Sequence, residues 1–122
     1  MKQTYETGLQ GEETAEEYLC REHGMTCLER RYKTKCGEID LILLDGETVV
    51  FAEVKTRKTG RTGSGLAAVN QAKQKRILNA SLLFLMKMKW MRRLVRYDLV
   101  EVYLDEIHYV PNAFQPYGKY YH

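Results

Sequence analysis

Cysteine is scarce in this chain and poorly placed for chemistry. There are three, Cys20, Cys27 and Cys36; the number is odd, and no two have the CxxC spacing of a metal knuckle or redox centre. His23, His108 and His122 are scattered, so no zinc site is expected and each histidine reads as a surface or packing residue. No apolar run approaches the roughly 20 residues that span a bilayer. The opening residues lack a secretory-signal pattern, and the expectation is a reduced, cytoplasmic protein. No repeat, linker or low-complexity stretch interrupts the 122 residues, a length that suits one domain around one core. Acid is missing too. From Lys55 to Arg96 there are twelve Lys or Arg and no Asp or Glu, whereas residues 6–22 hold six glutamates. The net charge is only +3, but this segregation predicts one strongly positive face or edge, the footprint that phosphate requires.

Thr7-Gly8-Leu9-Gln10 reads as a capping box that opens a helix, and Gly24 reads as its stop. Gly8, Glu12, Ala15 and Leu19 share one stripe, so a carboxylate sits on an otherwise small or apolar face. Residues 25–32 predict a strand and Lys33-Thr34-Lys35 a polar turn. Ile39 to Leu44 and Thr48 to Thr56 predict two strands whose near-continuous apolar character implies cover on both faces. Residues 57–65 form a basic, glycine-rich loop. Ser64 is placed to cap a second helix running to about Lys89, with Leu66, Val69, Lys73, Ile77, Ala80 and Phe84 inward. Lys73 is the odd member there, as Glu12 is on the first helix. For both, the alternative is a long side chain snorkelling at the core edge. Val95 to Leu104 predicts a fourth strand and Ile107 to Val110 a short fifth, ended by Pro111. The order is α-β-β-β-α-β, a mixed sheet with helices on its faces. It forms one domain over residues 1–114, with an aromatic tail at 115–122.

Two strings carry the chemistry: Gly37-Glu38-Ile39-Asp40 and Glu53-Val54-Lys55. A two-residue turn at Asp45-Gly46 sets Leu44 opposite Glu47, Asp40 opposite Phe51 and Glu38 opposite Glu53. Opposed residues point to the same side of a sheet. Glu38, Asp40, Glu53 and Lys55 then share a face, with Asp40 and Glu53 as diagonal neighbours. A three-residue turn would send Asp40 and Glu53 to opposite faces. Carboxylates this close repel, and burial worsens the repulsion. Lys55 supplies one compensating charge, and a divalent metal would supply the rest. Mg²⁺ suits oxygen ligands and takes one or two carboxylates with waters and phosphate oxygens. Lys55 is placed to orient or deprotonate an attacking water. Alone, ExK is a weak motif better explained by a surface ladder in which Glu53 pairs with Lys55 or Lys35; Asp40 across the hairpin balances the two readings, and Glu12 and Lys73 tip them towards function.

In order along the chain stand Gly8-x-x-Gly11-Glu12-x-x-Ala15, Gly37-Glu38-Ile39-Asp40-Leu41-Ile42, Phe51-x-Glu53-Val54-Lys55-x-Arg57 and Ala68-Val69-x-x-x-Lys73-Gln74-x-Arg76. With Arg96-Tyr97-Asp98 and the segment from His108 to Phe114, this set resembles the YraN-like family over residues 8–114. By that resemblance the chain falls in the PD-(D/E)xK nuclease-like superfamily, near the archaeal Holliday junction resolvases. The resemblance implies a restriction-endonuclease-like α/β fold with the α-β-β-β-α-β core. It implies Asp40 and Glu53 as the carboxylates of a Mg²⁺ or Mn²⁺ site, with the Val54 carbonyl as a third ligand. It makes Lys55 the catalytic lysine and Glu12 the helix-borne acid of resolvase-like members. Ile39 replaces the proline that names the motif, at a position that varies in the superfamily.

Arg57, Lys58 and Arg61, just past Lys55, are candidates to close over a phosphate backbone. Lys73, Lys75 and Arg76 would extend the track along the helix. Lys87, Lys89, Arg92 and Arg93 form a separate basic turn that reads as solvated charge. No segment resembles a base-reading helix, so shape or structure is the expected determinant. Tyr117, Tyr120 and Tyr121 are expected to pack on their own domain or on a dimer partner; stacking on bases is the alternative. Three functions remain in view. The first is a metal-dependent endonuclease on double-stranded or branched DNA, with a homodimer as a candidate assembly. The second is a non-catalytic nucleic-acid-binding protein that keeps the fold. The third is an interaction protein that docks a partner through its acidic first helix.

Overall fold

Seven elements follow one another along the chain: α1 (Lys2–His23), β1 (Thr26–Thr34), β2 (Gly37–Asp45), β3 (Thr48–Thr56), α2 (Gln71–Met88), β4 (Val95–Val102) and β5 (Ile107–Val110). The computed structural model describes residues 2–57 and 69–115, with side chains from Leu9 onward. The strands form one mixed sheet in the order β1-β2-β3-β4-β5. The first three are antiparallel neighbours, β3 and β4 are parallel, and β5 returns antiparallel to β4. The parallel step is the crossover that carries α2, as a parallel pair requires. This is the predicted restriction-endonuclease-like α/β core. No helix among the described residues is long and apolar enough to cross a membrane.

Each face of the sheet has its own core. Ala15 and Leu19 of α1 pack with Leu41, Leu43, Val50, Ala52, Val54 and Val100. Val69 and the α2 residues Ile77, Ala80 and Phe84 pack with Ile42, Phe51, Tyr97 and Leu99 on the other face. Neighbouring residues of β2 and β3 therefore point into different cores, which is why both strands read as continuous apolar runs. Val69, Ile77, Ala80 and Phe84 are buried as their spacing predicts; Leu66 lies outside the described residues.

Several boundaries differ from the sequence reading. Helix α1 already runs through Thr7–Gln10, so the capping box there is overturned. Its end is as expected: Gly24 takes φ 66°, and Met25 N–H donates to the Leu19 carbonyl at 3.2 Å. Helix α2 starts at Gln71, where the Asn70 side chain accepts from Lys73 N–H; Ser64 lies outside the described residues. The β1–β2 turn falls at Lys35-Cys36, one residue later than predicted, because the Thr34 hydroxyl gathers the N–H groups of Cys36 and Gly37 at 3.0 and 3.1 Å.

The β2–β3 turn also moves. Asp45 pairs with Thr48, so the turn residues are Gly46 and Glu47 and not Asp45 and Gly46. Gly46 has φ 62° and Glu47 does not have positive φ, as in a turn with glycine first. The register shifts by two residues from the predicted one. An even shift preserves which face each side chain takes.

Candidate active site

The β2–β3 ladder runs from Asp45–Thr48 to Leu41–Ala52 and stops there. Asp40 and Glu53 are the next residues beyond that last pair, and the charge of Asp40 acts on Glu53. Beyond the last rung, Val54 N–H donates to Asp40 Oδ2 at 2.8 Å. A side-chain carboxylate thus takes the place of the next β2 carbonyl.

Glu53 is 4% exposed, in the middle of a strand whose other buried residues are apolar. Its Oε1 lies 3.0 Å from Lys73 Nζ, which reaches across from the first turn of α2. Lys73 is therefore an ion-pair partner within the site; the snorkelling alternative does not describe it. Burial pushes the Glu53 carboxyl up to about 7, and the neighbouring Asp40 adds to this, against the opposing charges of Lys73 and Lys55. Asp40 is also raised by burial, opposed by the Val54 N–H and by both lysines. Lys55 is lowered, first by burial and then by contact with Lys73. Burial works against the charge on Lys73 as well, but contacts with Lys55, Glu53 and Asp40 outweigh it and hold Lys73 protonated. Two lysines serve two carboxylates, and their environments push them in opposite directions: Lys73 is raised and Lys55 is lowered.

A glycine sets this geometry. A methyl group at Gly37 would press on Arg76 Cβ at 3.3 Å and on its carbonyl at 3.5 Å. The first residue of the Gly-Glu-Ile-Asp string therefore lets α2 settle onto β2, and one turn earlier the same helix delivers Lys73 to Glu53. Arg76 itself is exposed. Glu38 is exposed as well and stays outside the buried pair.

Glu12 stands apart from the pair. Its carboxylate accepts from Arg31 Nε at 2.8 Å and Nη2 at 3.3 Å. Burial raises its pKa, the charge of Asp40 adds to that, and Arg31 opposes it. Arg31 adopts φ 48° in β1, a left-handed conformation that turns the strand locally. The Glu12–Arg31 pair flanks Asp40 and was not visible in the motifs.

Arg57 continues from β3. Its N–H donates to the Val102 carbonyl at 2.8 Å, and its Nε is buried with no hydrogen bond. It lines a cavity of about 290 Å³ with Gln10, Gly11, Thr14, Thr56 and Tyr103. Lys58 and Arg61 lie outside the described residues, as do residues 116–122. In the separate basic turn, Arg93 stacks on the Trp90 ring at 4.2 Å, so it packs on the domain.

Two further acids with their partners carry no motif in the sequence. Asp98 and Glu101 are both 0% exposed. Asp98 is held by Arg96 at 2.9 and 3.0 Å, by the Tyr109 hydroxyl and by Asn112 N–H at 2.8 Å. Arg96 in turn reaches Asp45 at 3.1 Å. This network ties β4, β5 and the hairpin turn on the α1 face. Glu101 lies on the other face, paired with Lys55 across the β3–β4 ladder, and accepts from or is bridged to His108 Nδ1 at 2.9 Å. The signal for both acids was a polar residue inside a strand of apolar alternation.

No group of three or more His, Cys, Asp or Glu that could hold a metal ion occurs among the described residues. The donors at hand are two carboxylates and a backbone carbonyl, all hard oxygens, which suits Mg²⁺ or Mn²⁺ with the rest of the shell supplied by water and substrate. Cys20, Cys27 and Cys36 are free thiols.

A mixed five-stranded sheet between two helices, with a carboxylate on each of two adjacent strands and lysines beside them, defines a restriction-endonuclease-like α/β protein. Residues 11–102 match the model of Uncharacterised protein family UPF0102. The chain is 38% identical over 112 residues to a UPF0102 protein of Geobacter metallireducens, covering 88% of this chain and 91% of the relative. It is 41% identical over 110 residues to one of Saccharophagus degradans, covering 89% and 92%. It is 39% identical over 124 residues to one of Syntrophus aciditrophicus, covering 98% and 97%. The chain belongs to the UPF0102 family, the YraN-like group of the PD-(D/E)xK nuclease-like superfamily.

Proposed function

We propose that this protein is a Mg²⁺- or Mn²⁺-dependent DNA endonuclease that hydrolyses phosphodiester bonds, with branched or structured DNA as its substrate class. One observation carries the reading: Asp40, whose carboxylate accepts from Val54 N–H, acts electrostatically on the buried Glu53 of the adjacent strand, beside two lysines. Two like charges in a buried site persist when something cationic is there to use them.

Asp40, Glu53 and the Val54 carbonyl would hold the ion. When bound, a divalent metal lowers the pKa of a coordinated water and stabilises charge on the phosphoryl oxygens. Lys55 accepts or orients the proton of the attacking water. Lys73 opposes the rise in the Glu53 pKa and so favours the ionised form that would ligate. Arg57, Lys58, Arg61 and Arg76 contact the phosphate backbone and set register without reading bases.

The test is incubation with single-stranded, duplex and four-way-junction DNA in Mg²⁺ and in Mn²⁺. Cleavage that disappears in Glu53→Ala supports the reading. Cleavage that persists equally in that variant belongs to a contaminant and sinks it.

A second reading rests on the Lys73–Glu53 ion pair, which already neutralises one of the two carboxylates. In that reading the site is structural and the protein binds nucleic acid without cutting. Salt-dependent binding with no cleavage in either metal would select it.

A further inference from the structure

Glu101 and His108, one and two strands away from Lys55, form a pair, buried acid and half-exposed base, that the site above does not use. Their Cα atoms pair across the β4–β5 ladder, and Glu101 pairs with Lys55 across β3–β4. Residues paired across a ladder point to one side. Glu53, Lys55, Glu101 and His108 therefore lie on the same face of three consecutive strands.

A carboxylate with no exposure has a large desolvation penalty. For Asp98 the compensation is entirely internal: an arginine fork, a phenol and a backbone N–H, all tying elements together. Glu101 differs. Among its partners are the Tyr103 hydroxyl at 3.5 Å and the His108 ring at 2.9 Å, and that ring is 37% exposed. A buried acid here orients a side chain that reaches solvent. The contact between Nδ1 and Glu101 fixes the orientation of the ring and turns Nε2 away from Glu101.

Two strand spacings of about 4.8 Å separate His108 from Lys55, so the offset is about 10 Å, the axial rise of roughly three nucleotides. A DNA strand that crosses the sheet from β3 towards β5 with its scissile phosphate at Lys55 would bring another phosphate within reach of His108. We propose that His108, held by Glu101, is a substrate-contacting residue that donates from Nε2 to a backbone phosphate of the bound DNA on the β5 side of the cleavage site. The inference rests on the endonuclease reading for its substrate class. Donation from both ring nitrogens, to Glu101 and to the phosphate, makes the DNA-bound ring an imidazolium.

The test is fluorescence anisotropy with labelled duplex and four-way-junction DNA in EDTA across a salt series, for the wild type, His108→Ala, His108→Lys and Glu101→Gln. His108→Ala should raise Kd about 5- to 10-fold and make the slope of log K against log salt shallower by about one. His108→Lys should restore the slope, because it replaces one phosphate-binding cation with another. In Mg²⁺, His108→Ala should raise KM and leave kcat within about two-fold. A fall in kcat at unchanged KM and unchanged slope would assign the ring to proton transfer and overturn the proposal. Unchanged binding, slope and kinetics would reduce the pair to a structural one and overturn it as well. Glu101→Gln should share the loss in Kd; if it fails to fold, the half-exposed His108 variants still decide. If the wild type binds DNA but cuts none, the endonuclease reading falls alone and this inference is judged on the slope. If it binds no DNA, both fall.

Discussion

Lys73 Nζ lies 3.0 Å from Glu53 Oε1, so the helix covering the sheet completes the charge balance of the strand beneath it. Replacing Lys73 with methionine keeps the stem and removes the cation. Glu53 is then left buried beside Asp40 with less opposing charge. The expected loss of stability is about 1–3 kcal/mol at pH 8, at the low end for a broken buried pair because Lys73 is partly exposed. The loss should shrink towards zero near pH 5, where Glu53 is protonated. Urea unfolding at the two pH values measures this; a loss independent of pH would show that only packing was affected.

Glu53 also predicts a pH dependence for the metal-free protein. Its folded carboxyl sits at about 7 against an ordinary 4.5, so the folded state binds the proton more tightly than the unfolded state. The stabilisation is fully present below about 4.5, declines as pH rises, and is gone above about 7. The shift corresponds to at most about 3 kcal/mol. Glu53→Gln should flatten this part of the curve and make the metal-free protein more stable than wild type at pH 8. Thermal melts between pH 4 and 9 would reveal it, and parallel curves for the two proteins would contradict the assignment.

Mg²⁺ or Mn²⁺ should reverse the same penalty. An ion that binds only the folded state raises stability with the logarithm of its concentration. The wild type should gain about 1–3 kcal/mol at concentrations well above Kd, whereas Glu53→Gln and Asp40→Asn should gain little. Equal gains in all three would place the ion elsewhere.

Gly11 offers a test of packing near the site. Glycine inside a helix is disfavoured relative to alanine by about 1 kcal/mol, so Gly11→Ala in α1 should ordinarily stabilise. Here the added methyl would collide with the Thr56 side chain at the end of β3. The expected result is a net loss of about 1–3 kcal/mol, partly recovered when Thr56→Ala is added. Stabilisation by the single change would mean that Thr56 swings aside freely.

Asp98→Ala should be the most damaging of these changes. It would strip Arg96, the Tyr109 hydroxyl and Asn112 N–H of a shared acceptor with no exposure of its own. Breaking such a buried pair typically costs about 3–5 kcal/mol. Denaturant midpoints would register the loss, and a change below about 1 kcal/mol would show that the network is replaceable.

The element order was readable because each core imposes its own period. Ala15 and Leu19 mark one face of α1, and Ile77, Ala80 and Phe84 mark one face of α2. Asp40, Glu53, Lys55 and Lys73 were all readable as site candidates, since a charge on an apolar stripe is conspicuous. The exact register was not readable. Asp45-Gly46 and Gly46-Glu47 are both acceptable turns, and the face assignment held only because they differ by an even number. Asn70 was missed as the cap of α2 because Ser64 has the same chemistry. The Glu12–Arg31 and Glu101–His108 pairs were hidden for another reason: nothing local in β1 or β5 marks their partners, and the contacts exist only once the strands and α1 assemble.

The order of the sheet leaves β1 and β5 as its outer strands. An outer strand offers unpaired N–H and C=O groups to any other chain in extended form. β1 is the longer of the two, at nine residues, but its register is broken between Cys27 and Glu29 and it carries Glu29, Arg30, Arg31 and Lys33 in close succession. β5 has four residues, and Pro111 follows it directly. Among the described residues, both rims discourage strand addition by interruption, charge or brevity. An edge-to-edge pairing of two copies would work against these features, so the helix and loop surfaces are where a second copy meets least resistance.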